Sequence, residues 1–249
     1  MFYYLLHEHF NVIQYISFRA AGAAITALFI CFLIGPKIIR TLIVSHFGET
    51  IRKNGPESHH KKEGTPTMGG IIILMAIILP TFLWARLDNP FIQIIVTSVI
   101  WMGIIGFIDD YLKIKKKYSK GLIARYKITG QIILGLFISY RIFNTEQIKY
   151  MIINNLDIKE TISLGSISLP FIANGFYDIG ILYIPLIILI IMSTSNAINL
   201  TDGLDGLSTG LTAIACGVFA IIAYASSRAD FSDYLNIIFI PYSGELFIF

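Results

Sequence analysis

Long apolar runs alternate with short polar stretches along this chain, and that rhythm governs the other expectations. Six segments, 18–35, 70–85, 91–108, 128–143, 179–195 and 206–224, are apolar and close to the roughly 17–25 residues that cross the hydrocarbon core as a helix. The predicted fold class is therefore all-α, a polytopic integral membrane protein with about six transmembrane helices. One outer loop follows a different period. In Ile162-Ser-Leu-Gly-Ser-Ile-Ser-Leu169 the apolar residues alternate about a central Gly-Ser, which predicts a small outer-face β-hairpin. No internal repeat, linker or low-complexity stretch divides the chain, so 1–249 reads as a single membrane domain. At its end, Gly244-Glu-Leu-Phe-Ile-Phe249 opens another apolar run too short to span. It is expected to be the start of a seventh helix, leaving the domain incomplete at the C-terminus.

Composition excludes an ordinary soluble domain: 249 residues are 55% apolar and 14% charged, with a mean hydropathy of +0.70. The N-terminus lacks a basic region and a small-residue cleavage site, so no removable signal peptide is expected. Cys31 and Cys216 both fall inside apolar spans, which argues against a disulfide framework or a cysteine metal site. Net charge is only +3, but its distribution is informative. Of nineteen Lys and Arg residues, segment 36–69 holds six and segment 109–127 holds seven. The intervening loops, 86–90, 144–178 and 225–245, are poor in them. By the positive-inside bias the two basic loops and the short 196–205 turn face the cytoplasm, and the N-terminus lies outside.

That orientation gathers carboxylates at one interface. Asp109 and Asp110 end the third span, where the helix dipole already presents partial negative charge and disfavours each acid by about 0.3–1 kcal/mol. Lys113, Lys115, Lys116, Lys117 and Lys120 follow and relieve part of the repulsion. An interfacial anchor would need no more than this; adjacent carboxylates also suit Mg²⁺ held together with substrate phosphates. Asp202 and Asp205 lie three apart at the expected start of the sixth span, where a helix would place both on one face. They could serve as N-cap and N3 acid. A cap needs only one of them, whereas Asn199, Thr201, Gly203 and Gly206 crowd polar and small groups around both.

The segment 55–70 enters the second span without the G-x-x-x-x-G-K-[ST] pattern, which excludes a P-loop. Its glycines, Thr65 and Thr67 could still meet a phosphate beside a helix N-terminus, with charge from Lys61 and Lys62. His59 and His60 are adjacent, which suits a solvated loop rather than a metal pair. The basic run 113–127 is explained by topology, so nucleic acid is not an expected partner. A transporter would place charged or polar groups near the midplane. Here Arg19 and Arg141 sit near span ends, and Gln93 and Gln131 lie within about a turn of a boundary. A non-catalytic membrane fragment would leave the clustered acids unexplained.

Four motifs then stand together: Gly64-Thr-Pro-Thr-Met-Gly-Gly70, Gly106-Phe-Ile-Asp-Asp-Tyr111, Lys120-Gly-Leu-Ile-Ala-Arg125 and Asn196-Ala-Ile-Asn-Leu-Thr-Asp-Gly-Leu-Asp-Gly206. With Phe18-Arg-Ala20 and Gly55-Pro-Glu-Ser58, they resemble the phospho-N-acetylmuramoyl-pentapeptide-transferases, translocase I of bacterial peptidoglycan synthesis. That family lies in the polyprenyl-phosphate N-acetylhexosamine-1-phosphate transferase superfamily. The resemblance implies transfer of phospho-N-acetylmuramoyl-pentapeptide from UDP-N-acetylmuramoyl-pentapeptide to undecaprenyl phosphate, giving lipid I and UMP, with Mg²⁺ as cofactor. It implies a multi-pass protein of the bacterial inner membrane, in contact with membrane lipid, with its active site on the cytoplasmic face; a homodimer is one expected assembly.

By the same resemblance, Asp109, Asp110 and Asp202 are the catalytic candidates, and Asp109 would deprotonate or position the lipid phosphate. Asp109 and Asp110 are the metal candidates. Asn199, Gly203, Leu204 and Asp205 would line the nucleotide side. Lys62 and Thr67 would belong to a loop closing over it, and Lys113, Lys117 and Lys127 would contact phosphate. The family carries a third essential Asp and a His-rich loop that would lie beyond Phe249, so the 249-residue chain is expected to be inactive by itself. A related transferase acting on another UDP-sugar is the alternative.

Overall fold

The structure is a computed structural model that describes residues 1–6, 8–44, 68–116, 121–154, 157–169, 176–202 and 206–249. Among the described residues, a helix of 15 residues or more occupies the place of each of the six apolar runs. After a short α1, Phe2–Leu6, come α2, Ile16–Val44, α3, Gly70–Trp84, α4, Pro90–Lys116, and α5, Ala124–Asn144. Two small β-ladders, β1 to β4, follow, then α6, Tyr183–Thr201, and α7, Leu207–Ser226, with a short α8, Ala229–Leu235. Among the described helices, α2, α4, α6 with the turn before it, and α7 are each long and apolar enough to cross a membrane. The 15 residues of α3 cover only about 22 Å, short of the ~30 Å hydrocarbon core. The 21 residues of α5 are interrupted by Arg125, Lys127, Gln131 and Arg141. Helices suit this setting because each bonds its own backbone polar groups and leaves side chains such as Phe32, Phe219 and Leu200 free to face lipid.

Neighbouring helices run antiparallel, and contacts at several heights fix their register. On α4 and α5, the Trp101 indole N–H donates to the Gly130 carbonyl at 2.9 Å, and further along Asp109 meets Lys127. On α5 and α6, Gln131 meets Ser195, Gly135 abuts Ile188, and the rings of Phe143 and Tyr183 touch edge to face. This alternation sets the C-terminal ends of α4 and α6 and the N-terminal end of α5 at one end of the bundle. The opposite end gathers the start of α2, the end of α3 and the start of α4. There Ala23, Ala85, Ile92, Val96 and Ile248 form a buried apolar cluster.

Three expectations change. The predicted hairpin about Gly165-Ser166 does not form. Instead β1, Tyr150–Asn154, pairs antiparallel with β2, Asp157–Ile162, and β3, Ser166–Ser168, pairs with β4, Phe176–Asp178. Ser163 closes a tight turn, its carbonyl accepting the Ser166 N–H at 3.0 Å, so the strands on either side find different partners. The β-prone Tyr-Met-Ile-Ile run supplies the better partner for the first. The segment expected to begin a seventh helix is a 3₁₀ turn, Ser243–Phe247, folded against α2, α4 and α7. Finally, α5 begins four residues before the apolar run, so Gln131 lies about two turns inside it and is buried.

Candidate functional site

Asp109 is the centre of the polar end. The last turns of α4 carry it to 7% exposure, where an unpaired charge would be costly. Three donors converge on it. Lys113, one turn along the same helix, sets its Nζ 2.8 Å from Oδ2. Lys127, from the first turn of α5, sets its Nζ 2.9 Å from Oδ1. The backbone N–H of Leu122 donates to the same Oδ1 at 2.6 Å. The turn makes this last bond possible: Gly121 has φ +58, and a Cβ there would lie 2.5 Å from Oδ1. Glycine permits both the left-handed backbone and the close approach. Two ammonium groups and one amide thus offset the buried charge. The helix runs on to Lys116, about two turns past Asp109, so the expected penalty of a carboxylate at the helix end does not apply.

Asp110 differs although it is adjacent. It shares Lys113, whose Nζ lies 3.1 Å from Oδ1, but its side chain stays 35% exposed. It also lines an open cavity of about 290 Å³ between α3 and α4, whose other walls are Met68, Gly70, Ile71, Ile73, Leu74, Gly103, Gly106 and Phe107. Among the described residues that line it, Asp110 alone carries a charged side chain.

Asp202 does not start a helix, as expected, but ends one. It is the C-cap of α6, its N–H donating to the Ile198 carbonyl at 3.2 Å, with φ −77 and ψ 49. α7 starts afresh at Leu207 behind Gly206, whose φ of +79 turns the chain. Asp202 therefore closes a helix where the sequence suggested that it would open one, while Asp205, its expected neighbour on a helical face, lies outside the described residues. Asp202 and Asn199 are both exposed, at the same end of the bundle as Asp109. Among the described residues no three His, Cys, Asp or Glu side chains come together as a metal-binding group.

Lys62, Thr67, Lys117, Gly203, Leu204 and Asp205 lie outside the described residues, as do His59 and His60. The chain reading missed the amide of Leu122 and the turn at Gly121. Its signal was a lone glycine inside a basic run, where a strained turn was the natural inference. It also missed Gln131, whose Nε2 donates to Ser195 Oγ at 3.1 Å while Asn196 Nδ2 donates to its Oε1 at 3.3 Å.

For a divalent cation the donor chemistry fits in part. Asp110 offers carboxylate oxygen on an open side, whereas both oxygens of Asp109 are already engaged by ammonium and amide donors. Mg²⁺ commonly uses one or two carboxylates plus phosphate oxygens, so one open acid beside two lysines is a workable start.

The sequence resemblance extends to proteins with names. The profile of glycosyl transferase family 4 matches residues 92–248, and phospho-N-acetylmuramoyl-pentapeptide-transferase signature 1 matches residues 62–74. A phospho-N-acetylmuramoyl-pentapeptide-transferase of Chlorobaculum parvum is 43% identical over 254 residues, taking in 99% of this chain and 66% of the relative. Proteins of the same name from Chloroherpeton thalassium and a Geobacter species are 44% and 41% identical, over 100% and 99% of this chain and again 66% of each relative. The chain thus spans a little under two thirds of their length.

Proposed function

Because the chain belongs to glycosyl transferase family 4, we propose that it carries the acceptor-side and nucleotide-side elements for transferring phospho-N-acetylmuramoyl-pentapeptide from its UDP carrier to undecaprenyl phosphate. The products are lipid I and UMP. An oxygen of the acceptor phosphate bonds to the sugar-bearing phosphorus, and the bond from that phosphorus to the UMP oxygen breaks. The observation that carries this reading is the buried Asp109 held by Lys113, Lys127 and the Leu122 amide. Two ammonium groups on one carboxylate can exchange it for incoming phosphate oxygens and then neutralise charge as it develops on the leaving group.

In this assignment Asp109 positions the acceptor phosphate or takes its proton. Lys113 and Lys127 turn to phosphate oxygens. Asp110 and Asp109 would hold Mg²⁺, which when bound would offset negative charge on the diphosphate. Asn199 and Asp202 line the nucleotide side, and Gly203, Leu204, Asp205, Lys62, Thr67 and Lys117 take the roles that the resemblance implies. The basic loops at this end support an inner-membrane protein whose site faces the cytoplasm. The matched signature at 62–74 favours the muramoyl substrate over another UDP-sugar.

The test is binding of UDP-N-acetylmuramoyl-pentapeptide to the purified chain in lipid nanodiscs with Mg²⁺. Saturable binding is expected, weakened about tenfold or more in Lys127→Ala, since a hydrogen bond to a charged group contributes about 1.5–3 kcal/mol. A chain that binds no nucleotide sugar would overturn the proposal. UMP release, run in parallel with undecaprenyl phosphate, addresses the expected inactivity: turnover abolished in Asp109→Asn would overturn that expectation.

A further inference from the structure

α5 touches both halves of the site. One turn separates Lys127 from Gln131 on it, and residues four apart share a helix face. Lys127 reaches Asp109 on α4; Gln131 reaches Ser195 and Asn196 on α6. Because α5 and α6 are antiparallel, the α6 turn level with Lys127 is the one after Ser195, which carries Asn199. Asp202 then follows at the cap. Gln131 is 3% exposed and faces this seam between helices, although it belongs to no motif quoted above.

We propose that Gln131 is a positioning residue. It fixes the register of α6 on α5, and so holds Asn199 and Asp202 at a set distance from Asp109 and its two lysines. Its amide suits the task because it donates to one residue of α6 and accepts from the next, which pins the helix against both sliding and rotation. The seam contributes little to stability through Asn196, whose Nδ2 also lies 2.7 Å from the Met192 carbonyl of its own helix. Losing Gln131 therefore leaves Asn196 satisfied and the helix formed, but removes the register contact nearest the site, leaving only those of Gly135 with Ile188 and Phe143 with Tyr183 farther along. The inference rests on the transfer reading for the roles of Asn199 and Asp202, while the geometric coupling is independent of it.

The experiment uses the full chain with Cys31→Ser and Cys216→Ser, and spin labels at Ile104→Cys on α4 and Ile198→Cys on α6, both lipid-exposed positions. In Gln131→Leu, pulsed electron resonance is expected to show a broadened distance distribution, with its centre moved by about 1–2 Å, the scale of helix shifts at packed interfaces. Affinity for UDP-N-acetylmuramoyl-pentapeptide is expected to fall about tenfold, since displacements of this size are costly at reacting centres. The melting temperature stays near that of the parent. In Gln131→Glu, whose protonated carboxyl keeps one donor and one acceptor, both distance and affinity are expected to return toward the parent. An unchanged distribution in Gln131→Leu overturns the proposal, and so does a shift that Gln131→Glu leaves unrepaired. If the parent binds no nucleotide sugar, the transfer reading fails and the distances alone decide the coupling.

Discussion

At the scale of single residues, the site depends on a glycine that carries no chemistry. Gly121 places the Leu122 N–H on Asp109 by adopting a backbone angle that other residues enter at a cost of roughly 1–2 kcal/mol. A methyl group there would also press on Lys113 Cε, 2.8 Å away. Gly121→Ala is therefore expected to lower stability by about that amount and to displace the Asp109 cluster as well. Thermal unfolding in detergent should show the loss, and nucleotide-sugar affinity should fall alongside it. An unchanged melting temperature would mean that the turn relaxes freely and that the Leu122 contact is incidental.

At the scale of elements, α5 bridges the helix that carries Asp109 and the helix that ends at Asp202, and its seam with α6 rests on small side chains. A Cβ at Gly135 would lie 2.6 Å from Ile188 Cγ1 and 3.1 Å from its Cα. Gly135→Ala should thus force the helices apart one turn from Gln131, at a cost of about 1–3 kcal/mol. Ile188→Ala in the same chain should recover only part of the loss, because the backbone contact remains. Thermal unfolding of the single and double variants measures both effects, and full recovery would place the clash in the Ile188 side chain alone. The helices themselves were legible from the chain, since each apolar run had to bond its own backbone inside a bilayer. What was not legible was where a helix gives way. Asp202 read as a helix start because acids favour that end, yet it closes α6, and only the left-handed Gly206 marks the new beginning. The hairpin about Gly165 failed similarly: alternation marks a strand but not its partner, and the better partner lay upstream at Tyr150–Asn154. Gln131 was discounted because the apolar run begins at residue 128, while the helix begins at Ala124.

At the scale of the whole molecule, the end opposite the site is closed by an ion pair that no local pattern announces. Arg19 and Glu245 are 226 residues apart and nearly sealed from solvent, their side chains 2% and 6% exposed. The guanidinium makes two hydrogen bonds to the carboxylate and a third to the Trp84 carbonyl, and the Arg86 N–H adds one to Glu245 at 3.1 Å. One carboxylate therefore joins the start of α2, the end of α3 and the C-terminal 3₁₀ turn. Removing it alone leaves a buried guanidinium without its counter-charge, so Glu245→Ala should destabilise the chain by about 3–5 kcal/mol. Replacing both partners with apolar groups, Arg19→Met with Glu245→Leu, removes the stranded charge and should recover much of that loss. Recovery should stop short of the parent by about 1–3 kcal/mol, because the partly buried Arg86 N–H and Trp84 carbonyl then lose these partners. Chemical unfolding in detergent of the parent, the single variant and the double variant distinguishes the cases. A double variant no better than Glu245→Ala would show that geometry, and not charge compensation, makes this pair necessary.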